Sequence, residues 1–147
     1  MPVAWRTDYA MRIMYEAARL GSGQQASINV LSERADVPYD FARQIANHLA
    51  HEGLLVSRRG SKGGFALARP ADKITELEIF VAMGEKPTLS LCSHDETLCS
   101  RAGRCPVHHG VWQPIDEMIT KHLASMTLAA AVELGLELEE EQASEAS

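Results

Sequence analysis

The run LLVSRRGSKGGFALAR, residues 54–69, decides the fold of this 147-residue chain. Two short strand-like segments, Leu54–Arg59 and Phe65–Arg69, flank the glycine-rich loop Gly60–Gly64. Such segments on either side of a short glycine-containing loop are typical of a β-hairpin. The basic residues at the tip of this hairpin are Arg58, Arg59 and Lys62. A tight tip of this composition can bring positive charge close to a phosphate backbone.

Two helical stretches precede the hairpin. The first begins at Ser27 and is stopped by Pro38, and the second covers Tyr39–Gly53. The second has apolar residues at helical spacing, namely Phe41, Ala42, Ile45, Leu49 and Ala50. Short helices joined by a turn predict a helix-turn-helix, and a basic hairpin directly after it predicts a winged helix. This order of elements favours DNA binding.

Candidate DNA contacts come from the second helix and from the hairpin. The helix is expected to expose residues able to hydrogen-bond bases or phosphates: Tyr39, Asp40, Arg43, Gln44, Asn47 and His48. Of these, Arg43 and Gln44 are the main candidates for the major groove. Arg59 is the candidate for a narrow minor groove, and Arg58 and Lys62 for phosphates.

The chain is acidic overall, with a formal net charge of −6, but the charge is unevenly placed. Residues 1–70 hold nine Lys/Arg and six Asp/Glu, a balance of +3, whereas residues 71–147 hold five and fourteen, a balance of −9. Because the local field governs DNA binding more than the pI does, the first half can still carry a basic face. No apolar run approaches the roughly 20 residues of a membrane span, and the start is not signal-like, so a cytoplasmic location is expected.

The other segments complete a mainly α-helical chain. An amphipathic helix is predicted from Thr7, its N-cap, to Leu20, with Asp8 in its first turn. Later helices are predicted over 75–83, 107–126 and 128–136, the last capped by Thr127. The expected division is a winged helix-turn-helix domain (1–85), a cysteine-rich loop (86–106), a dimerisation helix with a short C-terminal helix (107–136) and an acidic disordered tail (137–147).

All three cysteines lie in one turn-rich stretch, as Cys92, Cys99 and Cys105 with the spacing C-x6-C-x5-C. Clustered thiols with polar residues between them indicate a metal or redox role rather than packing. With His108 the pattern also approaches a structural Cys3His zinc site, and two of the thiols could instead form a metal-free redox switch. An enzyme is not expected, because the chain shows no nucleophile–base pair, phosphate loop or paired carboxylates.

These features together resemble the Rrf-two family of winged-helix transcriptional regulators, from Arg6 to about Val132. The resemblance is carried by Thr7-Asp8-Tyr9-Ala10, the wing Arg58–Phe65, the three-cysteine loop and Thr127-Leu128 after a long helix. It implies a homodimer that reads a palindromic operator in double-stranded DNA. It also implies an iron–sulfur cluster, [4Fe-4S] or [2Fe-2S], that controls DNA affinity in response to nitric oxide, redox or iron status.

The resemblance also suggests the cluster ligands. They would be Cys92, Cys99 and Cys105, with a fourth ligand from elsewhere. In IscR-like members the fourth ligand is a histidine that maps onto His108. In NsrR-like members it is an aspartate from the first helix of the partner subunit, which maps onto Asp8. The Thr7-Asp8-Tyr9 motif resembles that of NsrR-like members and favours Asp8 as the fourth ligand.

Overall fold

The computed structural model describes residues 3–101 and 103–146. Four residues lie outside this part of the chain: 1 and 2 at the start of the predicted DNA-binding domain, 102 in the predicted cysteine-rich loop, and 147 at the end of the predicted tail. The helices are α1 (Trp5–Arg19), α2 (Ile28–Ala35), α3 (Tyr39–His51), α4 (Glu76–Ala82), α5 (Leu91–His94), α6 (Gln113–Ser125) and α7 (Leu128–Glu145). The strands are β1 (Leu55–Arg58) and β2 (Gly64–Leu67). Single 3-10 turns occupy Ala71–Lys73 and Glu96–Leu98, and a π-helical turn occupies His108–Trp112.

The core lies where α1, α2 and α3 pack against one another. Apolar residues three and four positions apart form one buried face on each helix, as sequence periodicity predicts. The buried residues of α1 and α3 include Ala10, Ile13, Met14, Ala17, Ala42, Ile45, Ala46 and Leu49. The predicted fold class, a mainly helical winged helix with a two-stranded hairpin, is confirmed.

Local side-chain caps fix where several helices begin. The Ser27 hydroxyl accepts from the Val30 N–H, and the Thr127 hydroxyl accepts from the Ala130 N–H at 3.1 Å. At α4, Thr75 and Glu78 form a reciprocal capping box. Each cap satisfies backbone N–H groups that have no partner within the helix, so these starts are encoded locally.

The hairpin is antiparallel and is held to the helical body by a third backbone segment. Arg58 pairs with Gly64 next to the loop at the tip of the wing, and Leu55 pairs with Leu67 at its open end. Ala26 and Phe65 exchange two backbone hydrogen bonds of 3.0 and 2.8 Å. A Cβ at Gly64 would overlap the Ala26 carbonyl oxygen, so the close approach requires glycine at this position. The residue at position 64 is therefore determined by the packing of the wing against the backbone at Ala26.

The two C-terminal helices fold back onto the winged-helix unit. α6 packs on α4, and α7 packs on α1. Their junction is tied to the start of α4, because Glu76 N–H donates to Met126 O at 2.9 Å and Leu128 N–H donates to Ile74 O at 3.0 Å. The C-terminal helix runs to Glu145, so the expected end at residue 136 is wrong and helix replaces the expected disorder. Part of the reason is tertiary: Glu139 forms a 2.9 Å ion pair with Arg19 of α1.

Three other local expectations differ from the structure. Thr7 is not the N-cap of α1; the helix begins at Trp5, and Thr7 is fully buried with its hydroxyl 2.5 Å from Glu85 Oε1. Phe41 is 50% exposed rather than part of the core, and its ring lies beside that of Tyr9. His48 is half-buried instead of exposed, because its Nε2 hydrogen-bonds the Ala82 carbonyl at 2.8 Å.

Within the described residues, no helix is long and apolar enough to cross a membrane.

Candidate functional site

One side of the winged-helix unit presents the predicted DNA-contacting residues. The candidates on α3 are exposed: Tyr39, Asp40, Arg43, Gln44 and Asn47. They share α3 with a buried face formed by Ala42, Ile45, Ala46 and Leu49, which holds the helix rigidly on the core. A helix presented in this way can enter a major groove with its polar face toward the bases.

The wing adds positive charge to this unit. Arg58, Arg59 and Lys62 are all exposed. Within the described residues, none of them, nor Arg43, has an ion-pair partner, so their charges face solvent. Gln25 donates a hydrogen bond to the Lys62 carbonyl and Gly60 adopts a positive φ of 115°, which shape the tip. Unpaired guanidinium and ammonium groups on a projecting hairpin are suited to phosphate contact.

The cysteine segment, defined as residues 86–107, follows α4 as a series of short turns. Ser90 caps α5 by accepting from the Ser93 N–H at 3.1 Å, and the two serine hydroxyls lie 2.7 Å apart. Asp95 in turn accepts from the Thr97 N–H and hydroxyl, which lowers the pKa of this carboxyl. These contacts join near neighbours, and no apolar side chain of the segment is buried among its described residues.

Two of the predicted ligands come together. The Cys92 Sγ and His108 Nδ1 lie 3.5 Å apart, and the Ser90 hydroxyl lies 3.3 Å from the same sulfur. His108 is brought there by the π-helical turn, which continues directly into α6. Its neighbour His109 turns instead to the Gln113 side-chain oxygen, and hydrogen bonds with Gln113 and the Gly103 backbone raise the pKa of His109. Of the two imidazoles, His108 is the one placed beside a thiol.

The other two thiols are available but are not gathered with this pair. Cys99 and Cys105 are free and half-buried like Cys92. Within the described residues, no three His, Cys, Asp or Glu side chains lie close enough together to hold a metal ion. The donor types suit a cluster or zinc, since thiolate and imidazole are the preferred ligands of both. The donor atoms therefore suit such a group in their chemistry: Cys92 and His108 are adjacent, and the other two thiols lie on the same short segment.

Asp8, the other candidate for the fourth ligand, lies in the first turn of α1. Its carboxylate pairs with Arg12 at 3.0 Å, and 42% of its side chain is exposed. Its neighbour Thr7 is bonded to Glu85, immediately before the cysteine segment. The start of α1 is thus tied to the segment, although the described residues do not group Asp8 with the thiols.

One residue of this region was missed by sequence reasoning. Asp116 on α6 is 8% exposed, and its Oδ1 accepts from the Leu89 N–H at 2.8 Å. Its Oδ2 has no hydrogen-bond partner among the described residues. An aspartate in the first turn of a helix is ordinarily a solvated dipole contact, so its position in sequence gave no signal of burial.

The helix-turn-helix packed on the core, the basic wing and the exposed polar face of α3 define a winged-helix DNA-binding protein. The family model for Rrf2, described as iron-dependent transcriptional regulator, matches residues 4–134, and the chain belongs to this family. It is accordingly a DNA-binding transcriptional regulator and not an enzyme.

Individual relatives agree with this assignment. The HTH-type transcriptional regulator IscR of Xenorhabdus nematophila is 30% identical over 124 residues, covering 84% of this chain and 74% of the relative. Among solved structures, CymR, the global cysteine regulator of B. subtilis, aligns with a TM-score of 0.77 at 21% identity, covering 91% of this chain and 98% of that one. T. potens IscR aligns with a TM-score of 0.73 at 22% identity, covering 92% and 88%. At these identities the two structures support the fold alone.

Proposed function

We propose that this protein is a transcriptional regulator whose operator affinity is set by an iron–sulfur cluster bound at its cysteine segment. Cys92, Cys99 and Cys105 would hold the cluster, with His108 or the partner's Asp8 as the fourth ligand. The observation that carries the proposal is the contact between Cys92 and His108 on a segment that holds every thiol of the chain. The family description, iron-dependent transcriptional regulator, supports the same reading.

A cluster with one non-thiolate ligand would supply a redox-active, exchangeable iron that responds to oxidants, nitric oxide or iron shortage. The chain's own residues supply the rest of the site. The π-helical turn fixes His108 against Cys92, and the Ser90 hydroxyl lies beside the Cys92 sulfur, where it can modulate a thiolate by hydrogen bonding. The remaining thiols are on short turns that can rearrange around a bound group at little cost to the core.

The geometry of the single chain favours His108 as the fourth ligand. His108 already contacts Cys92, whereas the Asp8 carboxylate is paired with Arg12. Using Asp8 requires breaking that ion pair and, in the arrangement that the family resemblance implies, a second subunit. The preference for Asp8 from sequence rested only on the similarity of the Thr7-Asp8-Tyr9 motif to NsrR-like members.

We further propose a cytoplasmic homodimer that reads a palindromic operator. α6 and the preceding turn expose large apolar side chains, including Val111, Trp112 and Met118, to solvent in the single chain. An exposed apolar face on a long helix is typical of a subunit interface, and two-fold symmetry would place two α3 helices over two half-sites. Arg43 and Gln44 would read bases, Arg59 would enter the minor groove, and Tyr39, Asn47, Arg58 and Lys62 would add contacts.

A metal-free thiol switch is the second candidate, since all three cysteines are free and partly accessible. Oxidation would join two of them and leave the third as a thiol. A structural zinc ion is the third, because zinc accepts the same Cys3His donors without sensing redox state.

The deciding experiment is anaerobic purification followed by a visible absorption spectrum, with iron, acid-labile sulfide and zinc assayed on the same sample. Equal iron and sulfide with charge-transfer absorption, lost in Cys92→Ser, is the expected result. DNA affinity should then differ between the loaded and the stripped protein. Colourless protein with one zinc per chain would reject the cluster and indicate a structural zinc site instead. Metal-free protein whose DNA affinity changes only on thiol oxidation would establish the switch.

His108→Ala and Asp8→Ala separate the two candidate fourth ligands. Loss of the cluster, or an altered spectrum, is expected in His108→Ala and not in Asp8→Ala. His109→Ala is the matched control, because His109 faces Gln113 rather than Cys92. The reverse pattern would assign the ligand to Asp8.

A further inference from the structure

Besides the chain connection through the π-helical turn, a buried side chain of α6 holds the start of the cysteine segment. Leu89 N–H donates to Asp116 Oδ1 at 2.8 Å, three residues before Cys92. Asp116 and Thr88 also line a cleft of about 440 Å³ between the segment and α6, onto which Cys92 and His108 open. A buried carboxylate that accepts a backbone N–H holds that N–H strongly, because the hydrogen bond is charge-assisted and sheltered from water. Asp116 is therefore placed to make α6 follow movements of the segment.

At its other end, α6 is tied to the winged-helix unit. The helix is 13 residues long, which corresponds to about 20 Å. Beyond its last turn, Met126 O accepts from Glu76 N–H, and Leu128 N–H donates to Ile74 O. Both bonds lead into the start of α4, and α6 also packs along α4. A rigid helix fixed at both ends transmits displacement instead of absorbing it.

α4 in turn holds the recognition helix α3. The Ala82 carbonyl, in the last turn of α4, lies 2.8 Å from His48 Nε2. Because a carbonyl oxygen can only accept, His48 donates through its Nε2–H. His48 lies on the same helix as Arg43, Gln44 and Asn47, within one and a half turns of each, so this bond sets how the candidate DNA-contacting face is oriented on α4.

We infer that the state of the cysteine segment reaches the recognition helix along this path, with Asp116 and His48 as its two positioning residues. The inference rests on the proposed control of DNA affinity by a cluster bound at the cysteine segment, and it names the residues that carry this control. Among the described residues, Asp116 bonds the Leu89 backbone and His48 the Ala82 backbone, and neither is hydrogen-bonded to a thiol. Asp116 joins the segment to α6, and His48 joins α3 to α4.

The test measures DNA affinity of the full-length protein in two states, as isolated anaerobically and after stripping with chelator and reductant. The probe is a duplex selected from a random-sequence library by the wild-type protein. The ratio of the two dissociation constants is the coupling, expected at about 5–150-fold in wild type. In Asp116→Ala and in His48→Ala it should fall below about threefold, and the double variant should lose no more than either one, because both act on one path.

Conservative variants and neighbours serve as controls. Asp116→Asn and His48→Gln keep an acceptor for Leu89 and a donor for Ala82, so both should retain most of the ratio. Glu117→Ala and His51→Ala, exposed neighbours on the same helices, should leave it unchanged. A separate readout in the stripped protein is hydrogen exchange at the Leu89 amide, expected to quicken about tenfold in Asp116→Ala.

The outcomes separate this inference from the proposed function. A wild-type ratio near one would reject control by a group bound at the thiols, which is the proposed function, and with it the path that rests on that control. A large wild-type ratio that survives in Asp116→Ala and His48→Ala would reject only the path. Additive losses in the double variant would also reject it, because they indicate two independent effects. If Asp116→Ala does not fold or load, His48→Ala and the two conservative variants still decide between these outcomes.

Discussion

Replacing Gly64 with alanine should detach the wing from the helical body. The added Cβ would overlap the Ala26 carbonyl oxygen and lie 2.5 Å from its carbon and 2.9 Å from the Ser27 nitrogen. All three are backbone atoms, so no side-chain rotation relieves the contact. The backbone must separate, which breaks the two hydrogen bonds between Ala26 and Phe65. At about 0.5–1.5 kcal/mol each, their loss is worth roughly 1–3 kcal/mol.

Thermal unfolding by circular dichroism measures this cost. For a domain of this size, the melting temperature should fall by about 2–12 °C. Affinity for the selected duplex should fall as well, because the wing arginines lose their fixed position. Gly110→Ala is the matched control: a Cβ there meets no atom within 4 Å, so the change should be neutral or slightly stabilising. A Gly64→Ala protein that melts and binds DNA like wild type would refute the close-approach argument.

Three further predictions concern pH, DNA and the core. Burial raises the pKa of Glu76 from 4.5 to about 7, so the folded state retains this proton and stability should decline as pH rises from about 4.5 to 7. Glu76→Gln should abolish that decline and, at pH 8, add about 1–2 kcal/mol in urea unfolding, less than the roughly 3 kcal/mol ceiling because the group is partly solvated; an unchanged pH profile would contradict this. Arg59→Ala should weaken binding to the selected duplex by about 1–3 kcal/mol and spare a scrambled one, whereas Lys62→Ala should weaken both and reduce the salt slope by about one; equal losses on both duplexes for Arg59→Ala would indicate a phosphate contact. Leu128, fully buried at the junction of α6 and α7, should cost about 2–5 kcal/mol when changed to alanine, against about 0.5 or less for the exposed Leu138; similar losses in denaturant melts would show that the junction is not packed as described.

The candidate site was only partly readable from sequence. Residue types and spacing identified the thiols, His108 and the basic wing, because ligand chemistry and charge belong to the side chains themselves. The sequence placed His108 ahead of His109 only through the Cys3His spacing and the family resemblance. The structure supplies a physical reason, because the π-helical turn directs one ring to Cys92 and the other to Gln113. The sequence could not find Asp116, whose importance comes from burial against a segment 27 residues away.

The sequence by itself determined the elements whose signals are local. Apolar spacing defined the buried faces of α1 and α3, and the caps at Ser27, Thr75 and Thr127 act within three residues along the chain. The tertiary structure decided everything that requires distant residues to meet. Thr7 looked like a cap but is buried beside Glu85, and His48 looked like a DNA contact but anchors α3 to Ala82. The physical reason is that a cap or an apolar stripe is specified by near neighbours, whereas a long-range hydrogen bond exists only after packing has brought its two partners together.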